Sequence, residues 1–354
     1  MVLDLESGPG EFLYQDDVWL DFGLIITEAD IAALTASPRV DVHATFTFRD
    51  ESYDVGLHLK GTSSYCDFTE KPAFKIDFHQ WVPDQDFHGV RRLTLNNMWQ
   101  DSSMLAEHTT YALFAMAGRP APRHGYARVA VNGEPFGLYG IVETMDEAFV
   151  DRWWDDDDLG NLYEGDASGD LSKHGVNDYD LQEAGEPADT SDLEALAAAL
   201  DASTPATFTG VLAANFDLDG VLDAMAIEMI AANSDGYVSS GNNYLLYHAP
   251  VAGKWWLIPW GADQTWDDDQ PLWAELDGVL AEGCFAASAC RTQLEVRAAA
   301  LLEIMEAEDL AGLAEAEGAR ILPVCEDDPR AKHGCDNDIE ELVDYVQARP
   351  AWLR

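Results

Sequence analysis

The hydrophobic pattern of this chain changes period once, and that change limits the folds open to it. Residues 40–48 read V-D-V-H-A-T-F-T-F and residues 53–60 read Y-D-V-G-L-H-L-K. Alternation with period two lines one face of a strand with apolar side chains, so a turn at 49–52 makes the two runs a hairpin. A leading strand (18–20, 24–27) precedes them. It runs into a short helix that Thr27, with Asp30 three residues on, would cap and Pro38 would end. Residues 73–78 and 91–95 are further strands. Residues 127–131 and 136–142 flank Asn132-Gly133, a strong short-range hairpin signal. One helix interrupts the series, capped by Asp101 or Ser102 and ended by Gly118 and Pro120.

Beyond Glu143 the period lengthens. Residues 145–154, 192–200 and 218–232 read as helices, and 218–232 (LDGVLDAMAIEMIAA) is apolar enough for a core. Residues 160–190 are polar and read as loop. A helical tail follows, roughly 290–317 and 338–348. The start of a calcium loop at 215–220 lacks the acid at its twelfth position, which is Ala226, so it reads as a helix entrance. The expectation is an α+β chain: a β-rich first lobe over 1–144 and an α-rich second lobe over 145–354.

The 354 residues carry 66 acidic against 20 basic side chains, a net charge of −46. Duplex nucleic acid is excluded as a natural partner, because binding there rests on neutralising phosphates. Such a field also repels nucleotides unless cations or local Lys and Arg screen it. Acid runs at 155–158 and 267–269 read as solvated. No window is long and apolar enough to span a membrane. Residues 1–12 lack the order of a signal peptide, so either the protein is intracellular or a leader has been removed. Four of the five cysteines form close pairs, 284/290 and 325/335, without zinc-ligand spacing. They read as two short-loop disulfides, which favours an oxidising compartment. Cys66 stands alone.

Two regions have the composition of a reaction site. NSDGYVSSGNNYLLYHAPVAGKWWLIPWGAD (233–263) opens with a polar loop carrying Asp235, Asn242 and Asn243, then has two strand-like runs and Asp263. Strands that return on each other would gather oxygen donors suited to a hard cation, although a polar hairpin with solvated loops is equally open. The other region is the lysine-bearing stretch 60–75. Lysine occurs only six times in the chain. Lys60 precedes the Gly61-Thr62-Ser63-Ser64 turn, which can donate backbone N–H groups to phosphate, and Lys75 lies mid-strand as a fixed positive charge. Outward-facing strand lysines are the plain alternative.

Four blocks carry a resemblance: VGLHLKGTSSYCDFTEKPAFKIDF, the stretch from LTLNNMWQ to VETMDEAFV, NSDGYVSSGNNYLLY, and WWLIPWGADQTW. In this order, over residues from about 40 to 267, they resemble the CotH kinase family of atypical protein kinases. The resemblance implies a bilobal kinase-like fold, ATP with Mg²⁺ or Mn²⁺, and transfer of the γ-phosphoryl group to Ser or Thr of a protein substrate, outside the cytoplasm or at the cell surface. It further implies Asp235 as the catalytic Asp, acting as base or orienter. Asn243 and Asp263 would hold metal. Lys60, Gly61, Ser63, Ser64, Lys75 and Glu143 would meet the nucleotide. The family usually has Asp-x-Asp after Pro-Trp; here Gly261 stands at the first of these, and Lys60 stands where Arg is common. A catalytically silent kinase-like binding or adhesion module is therefore the alternative. A two-carboxylate glycosidase is a third possibility, with nothing beyond the acids in its favour.

Overall fold

The computed structural model describes residues 8–15, 18–154, 159–165, 169–172, 176–184, 189–332 and 334–354. The acid run at 155–158 lies outside them. The fold is α+β and forms two compact units. One comprises residues 1–108, 123–144 and 315–340. The other comprises 109–122, 145–314 and 341–354.

The first unit is a closed barrel. Its strands are β1 (Leu20–Ile25), β2 (Val42–Phe48), β3 (Glu51–Lys60), β4 (Ala73–Asp77), β5 (Arg92–Asn96), β6 (His124–Val131) and β7 (Glu134–Val142), in the order β1-β2-β3-β4-β5-β7-β6. Closure comes from a parallel pairing of β1 with β6, Leu20 opposite Ala127 through Leu24 opposite Val131. Closing the sheet removes its open edges. The alternation in β2 and β3 puts Phe46, Phe48, Val55, Leu57 and Leu59 into the core with Phe22, Phe74, Ile76 and Phe78. Phe87 is packed among these rings, 5.0 Å from Phe46 and 5.3 Å from Phe78 between centroids. Thr27 caps α1 (Glu28–Ala36) by accepting the Asp30 N–H at 3.1 Å. Asn132 and Gly133 take left-handed φ values of 53° and 82°. A two-residue turn between β6 and β7 requires that conformation.

A charged pair is sealed into this unit. Lys71 is 1% exposed, and its Nζ lies 2.7 Å from Asp328 Oδ2 and 5.1 Å above the Tyr139 ring. Asp328 also accepts the Leu138 N–H at 2.9 Å and the Arg330 N–H at 2.8 Å. It comes this close because position 137 is glycine: a Cβ there would sit 2.0 Å from Asp328 Oδ1, and φ is +107°. Burial lowers the Lys71 pKa, with the Asp328 carboxylate opposing that shift. The Cys325–Cys335 disulfide closes the loop that carries Asp328.

The helices that follow are α2 (Ala106–Met116), α3 (Glu147–Trp153), α4 (Ser191–Asp201), α5 (Phe208–Asn215), α6 (Leu218–Ile230), α7 (Tyr237–Ser240), α8 (Val279–Ala286), α9 (Ser288–Ala307), α10 (Leu310–Glu326) and α11 (Asp336–Leu353). Asp101 accepts the N–H groups of Met104 and Ala106 ahead of α2. The second unit also contains a four-stranded sheet, β11-β10-β8-β9, made of β8 (Asn161–Gly165), β9 (Asp180–Glu183), β10 (Tyr244–Ala249) and β11 (Lys254–Pro259). The expectation of loop over 160–190 is thus corrected at β8 and β9. Leu162 and Tyr163 are buried against β10, with Leu162 opposite Tyr247 and Tyr163 opposite Leu246. Long-range pairing here outweighs the polar local composition. The helical tail is also broken where one helix was expected, at Asp309 with φ +54° between α9 and α10. The second disulfide, Cys284–Cys290, joins α8 to α9, with Cα atoms 5.0 Å apart. Among the described residues, no helix is long and apolar enough to cross a membrane.

Candidate active site

The site in the second unit starts from α6. Asp217 caps its first turn by accepting the Gly220 N–H at 3.0 Å, and every residue from Gly220 to Ile230 is buried. A helix buried this completely is a rigid base for the loop that leaves it. Ala232 turns the chain with φ +51°, and the Asn233 N–H returns to the Glu228 carbonyl at 2.9 Å. Asp235 follows, half-buried, then Gly236 and the single turn of α7, which ends at Gly241 with φ +62°.

β10 and β11 pair in antiparallel register from Tyr244 opposite Pro259 to Ala249 opposite Lys254. The Trp260 N–H reaches the Asn243 carbonyl at 3.0 Å, so the two ends of the 233–263 stretch lie side by side. The Asp235 carboxylate receives three side-chain amides: Asn242 Nδ2 at 3.1 Å on Oδ1, Asn243 Nδ2 at 2.8 Å on Oδ2, and Gln264 Nε2 at 3.0 Å on Oδ2. Asn243 Nδ2 also donates to the Asp235 carbonyl at 3.0 Å. Hydrogen bonds of this kind fix a carboxylate's orientation and, with both sites of Oδ2 taken, leave a lone pair on Oδ1 for a further partner. Asn243 itself has a φ of +52°. Asn tolerates that conformation better than most side chains.

The loop after β11 is pinned from several directions. Ser234 N–H donates to Gln264 O at 3.2 Å, Trp266 N–H to Ala231 O at 2.7 Å, and Trp266 Nε1 to Thr110 Oγ1 at 2.8 Å. Asp263 is half-buried in this loop, directly before Gln264. Gly261 has φ +54°, and a Cβ there would lie 3.2 Å from Cγ and Oδ1 of Asn243. The position where the family usually has its first acid thus faces the Asn243 amide. Gly261→Asp is expected to cost about 1 kcal/mol from the left-handed backbone alone, read as a lower urea midpoint, with Asn243 displaced in the variant's structure.

Sequence reasoning did not single out Gln264 or Glu228. Glu228 is 2% exposed. Burial raises its carboxyl pKa to about 7, with the Val238 and Tyr237 N–H groups opposing the shift. The folded state therefore keeps this proton over a pH range in which the unfolded chain has lost it. Stability from this group is full below about 4.5, where an unfolded Glu titrates, and falls as pH rises to about 7. Urea unfolding across that window should lose more stability in the parent than in Glu228→Gln, the difference being on the order of 3 kcal/mol in total.

In the barrel unit, Lys60 lies opposite Ala73 across the β3–β4 ladder, and Lys75 lies opposite His58 on one side and Thr94 on the other. Phe74, Ile76 and Phe78 face the core, so Lys75 sits half-buried on the outer side of the barrel. The turn after Lys60 is held from both ends. Arg39 donates to the carbonyls of Leu59, at 2.8 Å, and Gly61, while Asn97 Nδ2 donates to Ser64 O at 3.1 Å. Ser63 Oγ lies 3.4 Å from Gln100 Oε1. Gly61 has φ +97°, and a Cβ would meet Ser64 Oγ at 2.7 Å, so the turn requires glycine there. Glu143, at the end of β7, is 4% exposed and accepts Arg123 Nε at 3.0 Å, Nη2 at 2.6 Å and the Arg123 backbone N–H at 2.9 Å.

The description CotH kinase protein matches residues 57–353, most of the chain. The chain belongs to the CotH kinase family. Inner spore coat protein H of Bacillus subtilis (strain 168) is 26% identical over 236 residues, covering 64% of this chain and 63% of that protein, short of two thirds of the relative's length. The inner spore coat protein H-like protein of the same organism is 29% identical over 82 residues, 23% of this chain and 25% of that one.

The CotH kinase family implies a nucleotide and a divalent metal, and the donor set bears on the metal. Among the described residues, no three His, Cys, Asp or Glu side chains gather at one point. Mg²⁺ does not need that. It is commonly held through one or two carboxylates together with substrate phosphates. Asn243 and Asp263 offer only oxygen as ligand atoms, so their chemistry fits a hard cation.

Proposed function

We propose that the chain is an ATP-dependent protein kinase that transfers the γ-phosphoryl group to Ser or Thr of a protein. Membership in the CotH kinase family supports this. The single observation that carries it is the Asp235 carboxylate, held by three amides at the end of a buried helix. An oriented carboxylate can accept the proton of an acceptor hydroxyl as that oxygen attacks phosphorus. Asn243 and Asp263 would hold Mg²⁺ or Mn²⁺, which supplies charge neutralisation to the phosphates. Lys60, Lys75 and the Gly61–Ser64 turn act on phosphate oxygens, and Glu143, fixed by Arg123, shapes the nucleotide side. With a net charge of −46, the metal and the few lysines offset the repulsion that ATP meets. The bilobal division into 1–144 and 145–354 belongs to the same proposal, as does an exported or surface location, which the two disulfides favour.

Gly261 favours a second reading, a kinase-like binding module without transferase activity. Calorimetry with ATP and Mg²⁺ or Mn²⁺, followed by a labelled γ-phosphate transfer assay on candidate protein acceptors, separates the two. Nucleotide heat with transfer supports the kinase. Absence of nucleotide heat under either metal supports the module.

A further inference from the structure

We infer that Glu228 is a positioning residue for the Asp235 loop, an inference that rests on the phosphoryl-transfer reading above. Two carboxylates are buried in α6, Asp223 and Glu228. Asp223 is neutralised by Arg119 Nε and Arg297 Nε, each at 2.6 Å. Among the described residues Glu228 has no basic partner. Its Oε2 accepts the Val238 N–H at 2.8 Å, and its carboxylate also receives the Tyr237 N–H. These N–H groups belong to the first turn of α7, where no helical carbonyl is available to them.

The other flank of the loop is tied to the same residue, since the Asn233 N–H donates to the Glu228 carbonyl. Gly236 closes the arrangement. A Cβ there would come 2.4 Å from Asn233 Nδ2 and 3.0 Å from Glu228 Oε2, so glycine lets the loop press onto the carboxylate. Asp235 thus lies between two segments, 233 and 237–238, that one side chain and its own backbone hold in place. A carboxyl group buried without a cation is costly for packing alone even when protonated, and a hydrocarbon of the same size would fill the space better. What the hydrocarbon lacks is an acceptor for two converging N–H groups.

The test compares the parent with Glu228→Gln, Glu228→Ala and Glu228→Met. It uses amide hydrogen exchange at Tyr237 and Val238, together with kcat and the KM for ATP. In Glu228→Ala and Glu228→Met, exchange at these two amides should rise at least about tenfold while the amides of α6 stay protected. Their kcat should fall about 10–100-fold, the scale of an ångström-sized misplacement. KM for ATP should stay within about twofold, because Asp235 acts on the acceptor hydroxyl. Glu228→Gln keeps an acceptor oxygen and should restore most of both. If Ala does not fold, Gln and Met, matched in size, carry the comparison. Unchanged exchange in Ala or Met overturns the inference, and so does equal kcat in Gln and Met. A parent that transfers no phosphate ends the kinase reading before any variant is made, whereas the exchange data alone decide whether Glu228 holds the loop.

Discussion

Asp235→Ala should lower phosphoryl transfer by roughly 10²–10⁴-fold, the range for a lost general acid or base, with little change in the KM for ATP. The substitution removes the atoms that would receive the hydroxyl proton. It also leaves the amides of Asn242, Asn243 and Gln264 without their acceptor, so the loop loses its internal alignment. Asp235→Asn should be nearly as damaging, because its NH₂ would face at least one of three amide donors and it carries no charge. The measurement is transfer of labelled γ-phosphate to a protein acceptor at saturating Mg²⁺ or Mn²⁺. Calorimetry of ATP binding, run in parallel, separates lost chemistry from lost nucleotide. Parent-like transfer by the alanine variant would remove Asp235 from the mechanism.

Lys71→Met should be among the most destabilising single changes in the barrel unit, by about 3–5 kcal/mol. The pair it breaks is sealed from water, with Lys71 1% exposed, and Asp328 would remain as an uncompensated charge in the interior. The Leu138 and Arg330 N–H groups would still reach that carboxylate but supply no full positive charge. The double variant Lys71→Met/Asp328→Leu should recover part of the loss, because two apolar side chains carry no stranded charge. Recovery stays incomplete because the Leu138 N–H then lacks its acceptor. Urea midpoints of the three proteins decide the matter. A single variant as stable as the parent would show that the interior tolerates Asp328 alone.

Much of the barrel was legible because its signals are local. The β2–β3 hairpin follows from strict alternation, the β6–β7 turn from Asn132-Gly133, and the α1 cap from Thr27 and Asp30. The α6 core helix follows from its composition, and the two disulfides from close spacing. What stayed hidden depends on distant partners. Residues 161–165 (N-L-Y-E-G) carry no apolar alternation and become a strand only because β10 offers a ladder. Closure through β1 and β6 joins segments more than 100 residues apart. Within the candidate site, Asp235 and Asn243 stood out by their position after a core helix. Gln264 did not, because an amide in a loop has no period to betray it. Glu228 did not stand out from Asp219 and Asp223 in the same helix, and its burial gains meaning only once α7 is seen to turn back over it. Lys71 shared the rarity of lysine that drew notice to Lys60 and Lys75, but its partner lies 257 residues away.

That separation governs the order in which the molecule can be completed. A ribosome has synthesised all seven barrel strands by residue 142, yet it reaches Asp328 roughly 10–40 s later at ordinary elongation rates. Until then Lys71 lacks its counter-charge and the space beside Gly137 lacks its occupant. Final closure of this barrel therefore waits for a residue translated well after its last strand.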